Sequence, residues 1–174
     1  VMDNQIYGLT KGQLSPTSPR GLKTVSSAFG SLESPVNPLM YVLAYGAGFV
    51  AQGTPADMAG LADVIEQGIR FPGFAFINVQ SPCVTFGQEG TQLKAQKGQM
   101  KNLAEMGHDP ADRIAALRLA QDYGQALYTG VFFRSPQPTP TYEDGVRERQ
   151  AEVVGAAFPR EKVCGDGLTP RAVK

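Results

Sequence analysis

The chain has 174 residues, the size of one domain with one core. Its 16 basic residues balance 16 acidic ones, which excludes the electrostatic footprint of a nucleic-acid binder. Two cysteines, Cys83 and Cys164, without CxxC spacing, exclude a disulfide framework and favour a reducing, cytoplasmic compartment. No apolar run approaches the roughly 18 residues a membrane helix needs, so neither nucleic acid nor membrane is expected as a partner.

Val1-Met2 reads as the end of a strand, and DNQIYGLTKGQLSPTSP (3–19) as the loop that leaves it. Asn37-Pro38 supplies a cap and a first-turn proline for a buried helix through LMYVLAYGAG. FVAQ (49–52) is a short strand, and Thr54-Pro55-Ala56-Asp57 is a variant capping box that starts a helix at Thr54. That helix carries Met58, Leu61, Ala62, Ile65 and Ile69 as one apolar stripe and ends at Gly68 to Pro72. Residues 74–79, FAFINV, form a nearly continuous apolar run, the pattern of a strand covered on both faces.

Alternating strands and helices predict an α/β fold with a mainly parallel sheet flanked by helices. Beyond Ser81 the pattern weakens to loop, with one helical piece at 92–105 and a helix capped by Asp109-Pro110 running to about Leu127. SPQPTPT (135–141) is a stiff connector, and 142–158 a polar helix with Val146, Val153 and Val154 as sparse apolar contacts. The expected division is therefore 1–86 as the sheet-bearing part and 87–174 as a loop and helical extension.

An Asn at the carboxyl end of a parallel strand sits where open α/β sheets bind ligands. Asn4 offers a neutral oxygen and the Ile6 main-chain carbonyl a second, a spacing that suits a hard cation such as Mg²⁺. On spacing alone Asp3-Asn4 reads more readily as turn chemistry, since such side chains bond their own backbone. Gly8 permits close backbone approach to a ligand, and Lys11 is a point charge suited to phosphate or carboxylate, or a solvated loop lysine. His108, the single histidine, excludes a multi-histidine metal site and reads as a solvent-exposed residue leading into a helix.

DNQIYGLTKGQ followed by SPTSP, and SPCVTF at 81–86, resemble the thiamine-diphosphate-binding β subunit of the 2-oxoacid:ferredoxin oxidoreductases, most closely the 2-oxoglutarate type. The likeness covers roughly residues 1–86, with PTPTYED (138–144) as its last familiar stretch. It implies Mg²⁺ on Asn4 and on the Ile6 main-chain carbonyl, Gly8 and Leu9 against the cofactor diphosphate, and catalytic Lys11 near the substrate carboxylate. Cys83 matches one thiolate of a 4Fe-4S cluster, which takes four. The implied reaction is oxidative decarboxylation of a 2-oxoacid to acyl-CoA and CO₂, with coenzyme A as acyl acceptor and electrons passing through the cluster to ferredoxin. An α subunit, or α and γ subunits, would complete the heterooligomer.

In that family a GDG aspartate and three further cysteines precede the stretch matched by Val1, so the expectation is a C-terminal part, incomplete in both cofactor sites and inactive alone. Cys164-Gly165-Asp166-Gly167 contains GDG far downstream and reads as a surface turn. A non-catalytic interaction module of the same fold is the competing reading. An acetolactate-synthase-like enzyme would share the Asn and carbonyl but has no reason to contain SPCVTF.

Overall fold

The structure is a computed structural model that describes residues 1–87, 93–137 and 140–157, with side chains to Val153 at the end. Cys164 and the GDG at 165–167 lie outside the described residues, as does part of PTPTYED. The strands are β1 (Met2–Asp3), β2 (Ile6–Tyr7), β3 (Gln13–Leu14), β4 (Phe49–Gly53), β5 (Ala75–Gln80), β6 (Met100–Asn102) and β7 (Leu127–Arg134). The helices are α1 (Pro38–Ala44), α2 (Met58–Arg70), α3 (Leu93–Gln99), α4 (Arg113–Gln121) and α5 (Tyr142–Ala157). Among these, no helix is long and apolar enough to cross a membrane.

Five strands form one sheet in the order β1-β5-β4-β7-β6, while β2 and β3 make a separate hairpin. The pairs β1/β5, β5/β4 and β7/β6 are parallel and β4/β7 is antiparallel, so the expected α/β fold with a mainly parallel sheet is present. The strand end read at Val1-Met2 falls one residue later, at Met2–Asp3, so Asp3 closes the edge strand rather than opening the loop; Val79 N–H donates to the Val1 carbonyl at 2.8 Å.

The sheet has two apolar faces. Phe49, Ala51, Leu61, Val64 and Phe71 close the α2 face, joined by the half-buried Ala75, Ile77 and Val79. Val50, Tyr128, Phe132 and Phe133 pack with α1 and α4 on the other. That double cover is why FAFINV lacks the polar alternation of a one-sided sheet. Two side chains lock α1 to α4. Asn37 caps α1 through Met40 N–H at 3.0 Å and also donates to the Ala120 carbonyl at 2.6 Å. Arg113 donates to the Leu43 and Ala47 carbonyls while its guanidinium lies 3.9 Å above the Phe133 ring.

Several boundaries differ from the pattern, each for a physical reason. The cap of α2 is Asp57, accepting from Gly60 N–H at 3.0 Å, because Thr54 closes a preceding turn and its hydroxyl donates to Gln96. Helix α1 is not buried all round: Tyr41 and Tyr45 are exposed and stack on each other at 4.6 Å. Helix α4 is capped by Asp112 rather than Asp109 and ends at Gln121. The stretch 87–174, read as loop and helix, supplies β6 and β7, and β7 lies inside the sheet between β4 and β6.

Gly68 lets α2 press its backbone onto β5. A Cβ there would stand 2.6 Å from Ile77 Cδ1 and 3.5 Å from Phe49 Cε1. Gly68→Ala should therefore destabilise the chain by about 1–3 kcal/mol despite the better helix propensity of alanine. Gly145→Ala in α5, with nothing within 4 Å, should not destabilise it. Denaturant unfolding of the two variants checks both.

Candidate functional site

Parallel strands β1 and β5 end at the same edge of the sheet, so the chain segments that follow them emerge side by side. The first holds Asn4 and the β2/β3 hairpin; the second holds Ser81 to Gly87. Asp3 pairs with Gln80, and Ser81 N–H donates to the Asp3 carbonyl at 2.9 Å, which fixes the two exits relative to one another. Gly8 and Cys83 meet across this junction. A Cβ on Gly8 would lie 3.1 Å from Cys83 Sγ and 4.0 Å from Asn4 Nδ2, so a larger residue at this position would have to displace the thiol by a few tenths of an ångström.

The turn itself is tight. Gly12 N–H donates to the Tyr7 carbonyl at 2.9 Å and Lys11 N–H to the Gly8 carbonyl at 3.1 Å. Lys11 has φ 66°, a left-handed conformation that costs a non-glycine residue on the order of 1 kcal/mol. Leu9 and Lys11 are exposed in the loop that joins β2 to β3. Gln5, with φ 57°, reverses the chain between Asn4 and Ile6.

The Asp3 carboxylate and the Asn4 amide each bond the backbone two residues on, but not equally. Asp3 Oδ1 accepts from Gln5 N–H at 3.0 Å. Asn4 Oδ1 accepts one longer bond, 3.3 Å, from Ile6 N–H and is half-buried. Its oxygen therefore keeps lone-pair capacity, which fits a hard cation. Two neutral oxygens are a partial donor set, since Mg²⁺ prefers six. Cys83 is a free, half-buried cysteine whose Sγ accepts from Phe86 N–H at 3.4 Å, while Gly87 N–H closes the turn onto the Cys83 carbonyl at 2.8 Å. A thiol held in a turn with an amide on its sulfur suits one ligand position of an iron–sulfur cluster. Among the described residues, no group of three or more His, Cys, Asp or Glu could hold a metal ion alone.

The residue pattern did not single out the polar layer beneath this site. Toward the carboxyl edge, the face that carries Val50 and Phe76 changes to Gln52, Asn78 and Gln80. Asn78 Nδ2 donates to Gln52 Oε1 at 2.8 Å, and Gln52 Nε2 donates to the Tyr128 carbonyl at 2.8 Å. Asn78 Oδ1 is buried without a hydrogen-bond partner. Gln80 reaches both Asp3 and Tyr123 at 3.3 Å. A cavity of about 120 Å³, lined by Gln5, Gln52, Gln80, Gln96 and Tyr123 among others, opens beside this layer. The signal available in the sequence was the run of amides in two strands otherwise apolar, FVAQG and AFINVQ.

A larger cavity of about 260 Å³ lies between α2 and β7; Gln52 lines both cavities, and His108 lines the larger one, whereas Asn4, Ile6, Gly8, Leu9, Lys11 and Cys83 do not. His108 is half-buried rather than exposed, its Nε2 hydrogen-bonded to the Phe132 carbonyl at 2.7 Å.

A parallel-strand edge with an Asn, a tight glycine turn and neutral oxygens defines the class: residues 1–79 match the thiamine pyrophosphate enzyme C-terminal TPP binding domain. Residues 83–151 match the C-terminal family of the pyruvate ferredoxin oxidoreductase beta chain. A 2-oxoacid:ferredoxin oxidoreductase subunit beta of Saccharolobus solfataricus is 32% identical over 86% of this chain and 52% of its own length. The 2-oxoglutarate synthase subunit KorB of Methanothermobacter marburgensis is 34% identical over 79% of this chain and 47% of its own. Among solved structures, a 2-oxoglutarate:ferredoxin oxidoreductase from Magnetococcus marinus, with 2-oxoglutarate, coenzyme A and succinyl-CoA bound, is similar. Its TM-score is 0.79 at 33% identity, covering 93% of this chain and 55% of that one. The chain belongs to the β-subunit family of the 2-oxoacid:ferredoxin oxidoreductases. It spans about half the length of the curated relatives it matches.

The contact between Gly8 and Cys83 is open to a direct check. In a Cys164→Ser background, Gly8→Ala should slow the reaction of Cys83 with a disulfide reagent several-fold by covering the sulfur. Gly98→Ala, in open space on α3, should leave the rate unchanged.

Proposed function

We propose that this chain is the cofactor-carrying part of a β subunit that, assembled with an α subunit or α and γ subunits, oxidatively decarboxylates a 2-oxoacid. Acyl-CoA and CO₂ are the products, and electrons leave through a 4Fe-4S cluster to ferredoxin, in the cytoplasm. In this reading residues 1–86 carry the cofactor-facing part of the thiamine-diphosphate domain, and the stretch after them adds β6 and β7 to its sheet together with helices. The observation that supports the reading is the close approach of Gly8 to Cys83 at one sheet edge, where a Cβ built on Gly8 would stand 3.1 Å from the thiol sulfur.

In this reading Asn4 Oδ1 and the Ile6 carbonyl hold Mg²⁺, with the remaining positions filled by the cofactor diphosphate, by water or by another segment. The backbone of Gly8 and Leu9 lies against the diphosphate. Thiamine diphosphate, when bound, supplies the electron sink for decarboxylation. Lys11 meets the carboxylate of the incoming 2-oxoacid as a compact cation in the loop between β2 and β3. Its left-handed backbone supports a functional role, because strain of that kind persists where the surroundings enforce it. Cys83 supplies one thiolate of the cluster and the Phe86 amide tunes it.

The 2-oxoglutarate type is favoured by the names of the Methanothermobacter relative and the Magnetococcus structure. The Saccharolobus relative carries the broader name 2-oxoacid.

Variants of the complete β subunit, assembled with its partners, test the reading. Cys83→Ser should abolish cluster absorbance and ferredoxin reduction while thiamine diphosphate still binds. Survival of the cluster would remove Cys83 from its ligands. Lys11→Gly relieves the backbone cost, so its melting temperature should hold or rise, yet the KM for 2-oxoglutarate should increase about tenfold to a hundredfold, the size of a lost hydrogen bond between charged groups. A complex that turns over none of 2-oxoglutarate, pyruvate and 2-oxoisovalerate would favour a non-catalytic module instead.

A further inference from the structure

Asp3 is the last residue of β1, is 7% exposed, and immediately precedes Asn4. A carboxylate taken out of water is tolerated only when its lone pairs are filled. Four donors do so. Gln5 N–H and Thr17 Oγ1 reach Oδ1 at 3.0 and 2.6 Å. Gln80 Nε2 reaches Oδ2 at 3.3 Å, and the Tyr123 hydroxyl donates to the same oxygen. Gln5 and Thr17 belong to the loop that follows Asp3. Tyr123 comes from just beyond α4, 120 residues later in the chain.

The consequence falls on the turn. Gln5 stands between Asn4 and Ile6, and its left-handed conformation sets how those two residues present their oxygens. Its N–H is held by Asp3 and its carbonyl by the Ser18 hydroxyl at 2.7 Å, so the strained residue is tied at both backbone groups. Asp3 can hold Gln5 in place only if Asp3 is itself fixed, and on its Oδ2 side the fixing groups are Gln80 and Tyr123. Tyr123 remains a donor at physiological pH, because burial, followed by the adjacent Asp3 charge, pushes its phenol pKa well above the usual range.

We propose that Tyr123 is a positioning residue for the metal end of the cofactor site: through Asp3 and Gln5 it locks the Asn4–Ile6 turn in the conformation that presents its oxygens to Mg²⁺. The phenol thus couples the stretch that matches the ferredoxin-oxidoreductase β C-terminal family to the stretch that matches the TPP-binding domain. This rests on the proposed cofactor role of Asn4 and Ile6.

The test uses the complete β subunit assembled with its partners, freed of Mg²⁺ and thiamine diphosphate, and follows rebinding by calorimetry. Tyr123→Phe should weaken Mg²⁺-dependent thiamine diphosphate binding about tenfold, the size of one lost hydrogen bond to a charged group. Iron content should not change, and the deficit should shrink at saturating Mg²⁺, which a general loss of stability would not produce. An assembled Tyr123→Phe complex that binds as the wild type does overturns the proposal. Should that variant fail to assemble, Thr17→Val removes the other hydroxyl from the same carboxylate and carries the same expectation; unchanged binding there overturns the proposal equally. A wild-type complex that binds no thiamine diphosphate overturns the cofactor reading itself, and the proposal with it.

Discussion

The buried Asp3 carboxylate is the constraint on which the edge of the sheet depends. It ends the outer parallel strand, and desolvation would make it untenable without its four donors. Satisfying it draws together the loop after β1, the end of β5 and the residue beyond α4. The polar row of Gln52, Asn78 and Gln80 continues this demand inward, interrupting a face that is apolar one turn of the pleat earlier. A core built only for stability would place aliphatic side chains there. The orphaned Asn78 Oδ1 marks the cost of keeping the layer polar.

From this constraint the arrangement above it follows. Because β1 and β5 run parallel and leave at one edge, their loops have to pass side by side, and the absence of a side chain at Gly8 allows contact with Cys83. Asp3 and Asn4 each close a turn onto the backbone two residues on, the Asp3 bond being the shorter. The Asn4 oxygen is left with one weak internal bond, and Lys11 is exposed in the strained loop between β2 and β3. The site is thus presented by backbone geometry more than by a cluster of ionisable groups, in keeping with the proposal that a bound cofactor supplies the chemistry.

Much of this was legible in the residues. FAFINV announced a strand covered on both faces, Asn37-Pro38 a helix start, and DNQIYGLTKGQ with SPCVTF the family, because these signals are local. Strand β7 was not legible: LYTGVFFR lies where the pattern runs the preceding helix on to about Leu127, contains a glycine, and owes its place to pairing with β4 across some eighty positions of sequence. The cap of α2 fell on Asp57 because Thr54 is engaged by Gln96, a partner no spacing rule reveals. Tyr123 escaped notice for the same reason. A single tyrosine after a helix carries no pattern, and its meaning lies wholly in a contact with Asp3.

The central claim is that the metal–diphosphate turn and the cluster thiol adjoin at one sheet edge, on Asn4, Ile6 and Cys83. Anomalous diffraction from crystals of the assembled complex, loaded with thiamine diphosphate and with Mn²⁺ in place of Mg²⁺, addresses it most directly. The account predicts a manganese peak within ligand distance of Asn4 Oδ1 and the Ile6 carbonyl, and an iron peak bonded to Cys83 Sγ. Manganese bound away from Asn4, or a Cys83 sulfur with no iron on it, would contradict it.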